Sequence, residues 1–412
     1  MNKLSTLAIG LLLPLGSVSF AEEPNAIDEE IKRMATAEPK EPMQPRGSEG
    51  SKNTSYGENA LKKNTSGERN SAFGRYALEK NTSGGRNTAV GHYALWKNTT
   101  GKRNAAFGPA ALGYNTTGYE NTAVGAASLL ANTKGYYNNA FGESALTANT
   151  TGHRNVALGS YSLNKHKTGQ RNTAVGHGAM YNSTKGQYNT ALGVEALLSS
   201  TTGKFNTVLG SLAGHKNKTG SSNVFIGYKA GYSEKGSQKL YIANSSKSPL
   251  VYGDFNKKTL KVNGKMYATK FITSSDARLK TDIRALNNAL DMVLSLQGKQ
   301  YRLIDEAVNQ TDIGLIAQDV EKVLPQIVSQ SEDGYKAIAY QSLTAVLIEA
   351  IKEQHGQFTA EITALQKENA QFTGQITTLE KENILLKTIM AEQMDTLLAR
   401  VAMLEGESLA AN

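Results

Sequence analysis

Between Asn53 and Asn223 the apolar positions follow neither the 3.6-residue period of an amphipathic helix nor the long alternation of an ordinary strand. A short motif, Asn-x-x-x-Gly, starts at Asn53 and returns at Asn70, Asn87, Asn104 and every seventeenth residue up to Asn223. A second glycine keeps the same phase, at Gly67, Gly84, Gly101, Gly118 and onward to Gly220. Between the two runs an Ala-Leu pair, as in Ala77-Leu78, Ala94-Leu95 and Ala145-Leu146. A fixed period without insertions is the signature of a solenoid. The Asn-Thr-Ala-Val-Gly type segment reads as a short strand, and stacked copies would pair in parallel about 4.8 Å apart. The Ala-Leu segment is expected to drop an apolar wedge inward, as a second strand or, preferably, a single helical turn. The Asn-Thr-Thr-Gly segments are corners, where Asn and Gly accept positive φ. Ten coils give a rod of roughly 50 Å. Each coil has one or two large apolar residues plus alanines, so association of several chains would complete its core. Gly214 and Gly231 replace the expected Leu in the last coils, as a terminal cap would.

A different period governs the C-terminus. From Ile348 apolar residues alternate three and four apart: Ile348, Ile362 and Ile376 with His355, Asn369 and Asn383 at position a, and Ile351, Phe358, Leu365, Phe372, Leu379 and Leu386 at position d. After Leu386 the seam shifts by four, through Met390, Met394, Leu397, Val401 and Leu404, which is a stutter. So long and narrow a seam predicts a coiled coil. Ile at a, Leu at d and buried Asn lean by rule toward a dimer, while Phe at d fits no simple rule. Between the two periodic regions lie short alternating strands, Lys239–Ala243, Pro249–Tyr252 and Thr259–Val262, with a hairpin expected at Asn263-Gly264.

Composition sharpens this outline. The chain has 412 residues, 39% apolar and 7% aromatic, with 39 glycines, which disfavours one large core. The net charge of +9 is concentrated: residues 53–223 hold 18 Lys/Arg against 6 Asp/Glu, an excess of +12. Such dispersed charge reads first as a solvated surface; because it also attracts anions, an acidic glycan or another host or cell-surface ligand is a candidate partner. The cations are dispersed and no nucleic-acid motif accompanies them. There is no cysteine, which excludes disulfides, thiolate metal sites and a Cys nucleophile. The histidines His92, His153, His166, His177 and His215 form no ligand pattern and read as surface residues, so neither a metal nor a cofactor is expected. Asn-x-Thr/Ser triplets such as Asn98-Thr99-Thr100 keep the repeat phase and are read as turns, not glycan acceptors.

Residues 1–21 read as a signal peptide. Lys3 precedes an apolar run from Leu4 to Leu15, and Ser19-Phe20-Ala21 is a cleavage site. Residues 22–52, with Pro24, Pro39, Pro42 and Pro45 among charges, read as a linker. No later run is long enough to span a membrane, so an exported, secreted or cell-surface product is expected.

The chemistry concentrates in Phe271-Ile-Thr-Ser-Ser-Asp-Ala-Arg-Leu-Lys-Thr-Asp-Ile283. A Ser hydroxyl is a poor nucleophile until a base takes its proton, and lysine serves only when neutral, which burial favours. Ser275 and Lys280 are five apart. On a regular helix they would diverge by about 140°, so either Ser275 precedes the helix as part of a turn or the partner comes from another chain. A purely structural role for Ser275 is a helix N-cap. Asp276, Asp282 and Asp319 are expected in caps or in pairs with Arg278 or Lys322, and Gln318 is a minor candidate for the site.

This stretch resembles the intramolecular chaperone that ends phage endosialidases and tail spikes, a self-cleaving serine peptidase family. Its Ser-Asp-x-Arg-Leu-Lys motif matches Ser275, Asp276, Arg278, Leu279 and Lys280. Further blocks match Gly314–Pro325 and Tyr340–Glu353. The repeats likewise resemble the YadA-like left-handed β-roll heads of trimeric bacterial adhesins, and repeats upstream of tail-fibre chaperones. The resemblance implies a homotrimer and a single-turnover cleavage between Ser274 and Ser275, with Ser275 as nucleophile and Lys280 as base. The expected organisation is a signal peptide (1–21), a linker (22–52), a β-solenoid or β-roll (53–232), a β neck (233–272), a small α+β self-cleaving chaperone (273–353) and a trimeric coiled coil (354–412). Two rivals remain: a non-cleaving structural fibre, and a glycan-degrading enzyme, for which the repeats carry no recurrent acid pair.

Overall fold

The computed structural model describes residues 45–46, 52–304, 311–331 and 334–410; the expected signal peptide and most of the linker lie outside them. The chain divides into two compact units, Met1–Lys270 and Phe271–Asn412.

The first unit is a β-solenoid. Among the described residues, eleven three-residue strands from Thr54–Tyr56 to Val224–Ile226 stack in parallel, each paired with the residue 17 further along, as in Ala89↔Ala106 and Ala106↔Ala123. The middle residue of each strand points inward and is buried: Ser55 in the first, Ala in the next eight, then Val208 and Phe225. The parallel stack runs one strand past Tyr232, to Lys239–Ile242, before two antiparallel pairings with Val251–Asp254 and Thr259–Val262 end the sheet. The hairpin expected at Asn263-Gly264 does not form. Thr259–Val262 is already paired, and Asn263 instead bonds the Leu250 and Pro249 carbonyls.

The Ala-Leu segment is neither a strand nor a helical turn. It is a run of overlapping turns: Ala77 N–H bonds Gly74 O, Glu79 N–H bonds Tyr76 O and Asn81 N–H bonds Leu78 O. Tyr76 and Leu78 take left-handed backbone angles of 58° and 53°, flanking Ala77. Alternate left-handed residues let Ala77 and Leu78 both reach the interior, where each is fully buried.

Two columns of buried asparagine complete the core. In one, Asn115 Nδ2 donates to Asn98 Oδ1 one coil below at 2.7 Å and to Gly118 O at 2.9 Å, and the pattern repeats from Asn81 to Asn149. In the other, Asn104 Oδ1 accepts from the Asn121 backbone N–H at 3.0 Å and side chain at 3.1 Å. Asn98 is completely buried, in keeping with its reading as a turn residue. Three backbone N–H groups, Thr82, Ser83 and Gly84, converge on the Thr99 carbonyl at the corner.

The corner glycines are required for a different reason from the one expected. Gly118 does not have positive φ; a Cβ there would collide with the Gly135 carbonyl of the next coil. Positive φ falls at the strand-end glycines, as at Gly125 (124°), where a Cβ would also lie 2.6 Å from Gly142 backbone. Likewise, His166 is not a surface residue. It is fully buried at the place in the column that Asn149 holds one coil earlier.

The second unit is built on two short helices, α1 (Ala289–Leu294) and α2 (Ala317–Val323), and a 68-residue helix, α3 (Leu343–Ala410). Ala289, Val320, Leu324, Ile327, Val346 and Ala350 form its core. Glu353 on α3 accepts from the Ala289 and Leu290 N–H groups at 3.1 and 2.8 Å, tying the start of α1 to α3. Two-stranded pairs, Lys299–Tyr301 with Asp312–Gly314 and Val328–Gln330 with Lys336–Ile338, complete it. Beyond the core, the predicted heptad side chains are exposed: Ile362 by 55%, Leu365 by 53% and Leu379 by 57%. No helix among the described residues is long and apolar enough to cross a membrane.

Candidate active site

Residues 271–283 form an exposed loop interrupted by one 3-10 turn, Ala277–Leu279. Asp276, not Ser275, is its N-cap, accepting from the Arg278 N–H at 2.8 Å. The same carboxylate pairs with the Arg278 guanidinium at 2.7 Å, and that bond holds the Asp276 pKa below its ordinary value. Ser275 is thereby left without a capping role. Its hydroxyl accepts from Lys280 Nζ at 2.7 Å.

The backbone explains this meeting. Asp276 and Lys280, at the two ends of the turn, are both extended, with ψ of 134° and 147°. The chain therefore leaves the turn at once and folds Lys280 back toward Ser275. This is the turn alternative left open by the five-residue spacing, and it brings the pair together within one chain. Both residues are exposed. So are the apolar side chains around them, Ile272 by 82%, Leu279 by 74% and Ile283 by 70%.

The other sequence candidates fall outside the pair. Asp319 binds Lys322 at 2.9 Å on α2, which lowers its pKa. Asp282 takes a left-handed backbone, and Gln318 makes no hydrogen bond to the pair. Two contacts had no sequence signal, because their partners are far apart in the chain. Thr273 Oγ1 donates to Gln341 Oε1 at 2.9 Å, anchoring the segment just before Ser274. Tyr340 Oη accepts from the Leu315 N–H at 2.9 Å. Adjacent residues before α3 thus hold both of the earlier motif blocks.

Residues 275–329 match the family model described as chaperone of endosialidase. The chain is similar to the long tail fiber protein Gp37 of Salmonella phage S16, 38% identical over 98 residues, which is 21% of this chain and 13% of that protein. It is also similar to the Gp37 proteins of Enterobacteria phage M1, 40% identical over 87 residues (19% of this chain, 35% of that protein), and of Enterobacteria phage T2, 36% over 104 residues (22% and 8%). No solved structure matches significantly. Residues 275–329 are thus similar to a chaperone domain of the kind found with tail fibres, and the chain spans about a third or less of the relatives it matches.

Proposed function

We propose that this protein is an exported trimeric fibre whose C-terminal chaperone aligns three chains and then cuts itself off between Ser274 and Ser275. The observation that carries the reading is the 2.7 Å bond between Lys280 Nζ and a Ser275 hydroxyl that the neighbouring cap leaves unused. The Ser275 oxygen adds to the Ser274 carbonyl carbon while Lys280, in its neutral form, takes the hydroxyl proton. The C–N bond breaks and Lys280 passes the proton to the departing Ser275 amine. Water then hydrolyses the ester, leaving a carboxylate on Ser274 and a restored hydroxyl on Ser275.

Exposure of the dyad supports a dependence on assembly. A lysine acts as a general base only in its neutral form, which burial favours. The exposed Ile272, Leu279 and Ile283 beside it are surfaces for neighbouring chains to cover. Assembly is also supported by the α3 seam and by the solenoid. The outward third strand position is large and apolar in every coil, from Phe73, Val90 and Phe107 to Leu192 and Leu209, and much of it is exposed. Only a partner with the same coil spacing meets such a column rung by rung, and a second copy has that spacing. The rod, with its excess of cations, serves as the adhesive part, binding acidic glycans weakly and in a salt-dependent way.

A denaturing gel of chain starting at Glu22 tests the cleavage. Wild type is expected to give two bands without added protease, the smaller beginning at Ser275. Ser275→Ala and Lys280→Ala are each expected to remain full length yet assembled. A single wild-type band from assembled protein favours the non-cleaving fibre; a cut that persists in Ser275→Ala assigns it to an outside protease.

A further inference from the structure

One corner edge of the solenoid carries a built notch. The residue two before each strand-starting Asn projects from this edge: Glu68, Lys102, Tyr119, Tyr136 and His153 in successive coils, but Gly85 between Glu68 and Lys102. Gly85 does not have left-handed φ, and the nearest atom to a Cβ there, the Glu68 carbonyl oxygen, is 3.0 Å away. Neighbouring coils place full side chains at this position, so the backbone does not demand a glycine. Its effect is to open a groove of about 650 Å³.

Cations line one wall of that groove. Arg69, Arg86 and Arg103 follow one another at one coil per step, all with left-handed φ (59°, 61° and 55°). Arg103 is engaged by Glu120 at 2.7 Å. Arg69, Arg86 and Lys102 are exposed and have no ion-pair partner among the described residues. Exposed hydroxyls, Ser66, Ser83 and Thr100, also line the groove, again one per coil. Beyond Lys102 the edge is closed by stacked rings: Tyr119 on Tyr136 at 4.9 Å and 3°, and Tyr136 on His153 at 4.6 Å and 11°.

We propose that this groove, centred on Gly85, binds a linear acidic polysaccharide of uronic-acid type running along the rod axis. The proposal rests on the adhesive reading of the rod and gives it a site. Arg69 and Arg86, one coil apart, with Lys102 in the next coil, suit a polymer with a carboxylate on successive sugars. The hydroxyl column suits sugar hydroxyls, and the missing side chain at Gly85 gives a ring or its carboxylate room beside Arg86. Single-stranded nucleic acid is disfavoured, because base binding uses open aromatic faces and these rings are stacked on one another.

Titration of the full chain with an oligogalacturonate at low salt tests this, with a neutral malto-oligosaccharide as control. The acidic oligomer is expected to bind and the neutral one not. Gly85→Tyr, which fills the notch with a residue the edge already uses and leaves the charge unchanged, is expected to cut affinity at least tenfold. Arg86→Ala and Lys102→Ala, which do not alter the backbone, are expected to weaken binding similarly, and Lys218→Ala to leave it unchanged. Binding that falls with salt but is indifferent to Gly85→Tyr, Arg86→Ala and Lys102→Ala overturns the site while sparing general adhesion by the rod. No binding by wild type overturns the adhesive reading and the site together. Tighter, Gly85-dependent binding of a single-stranded DNA oligomer overturns the ligand class.

Discussion

His166 shows how much one residue can alter a periodic core. The asparagine column below it supplies a donor and an acceptor at every level, whereas the His166 ring meets Ser183 Oγ, 3.2 Å from its Nδ1, and the Gly169 backbone, without the side-chain pairing to the coil below that the asparagines make. Burial pushes its pKa down to about 4 from 6.5, so it is neutral in the folded rod. The unfolded chain therefore takes up the proton first as pH falls. The stability from keeping His166 neutral is complete above pH 6.5 and is lost progressively between pH 6.5 and 4, by roughly 3 kcal/mol. Burial lowers His92 and His215 in the same direction. His166→Asn restores the column, and thermal melts across this range are expected to show a smaller acid loss than wild type. Equal acid loss in the two proteins assigns the sensitivity elsewhere. The sequence did contain the clue, since His166 is 17 residues after Asn149. Composition hid it, because histidine is ordinarily a surface residue, and only the phase marks it as interior.

Elements differ in how far pattern alone revealed them. The strands, the corners and the long helix were legible because a strict period leaves one face inward. The overlapping turns were not, because left-handed Leu78 and Tyr76 oppose intrinsic preference and persist only through packing and hydrogen bonds to neighbouring coils. Gly214 and Gly231 were legible as anomalies but not as a mechanism. Both occupy the left-handed leucine position, and a Cβ on either would press within 3 Å of the buried Phe225 ring, so two deletions make room for one large insertion. Around Ser275 and Lys280, the five-residue spacing left a turn as one way for the two side chains to meet, and they do meet across one, but the cap lies one residue on, at Asp276 instead of Ser275. The α3 seam yields a direct test. Ile362→Asp with Leu365→Asp places two carboxylates at adjacent apolar positions of the seam, and sedimentation is expected to show loss of the proposed trimer. If the proposed self-cleavage depends on assembly, it is expected to slow in this variant as well; undiminished cleavage by a monomer would separate the chemistry from assembly.

For the molecule as a whole, the unbroken 17-residue step has a consequence for how its length can change. Neighbouring coils meet through repeated bonds, with strand, turn and corner each joined to the same positions one step away. A coil is thus an interchangeable unit, and the rod is a ruler graduated in coils. Removing residues 104–120 joins Arg103 to Asn121 and preserves every phase. This shortened chain is expected to fold cooperatively and to lose about 4.8 Å of rod. Removing only residues 104–119 instead puts Glu120 where a buried Asn belongs and turns inward side chains outward, and thermal melting is expected to show a large loss of stability. Equal melting of the two deletions would mean that the coils tolerate slippage. Reach can therefore be lengthened or shortened by recombination in discrete steps, while a frame-preserving change of any other size damages the fold, and a tract of similar repeats in strict register is the kind of sequence in which such whole-step exchanges are tolerated.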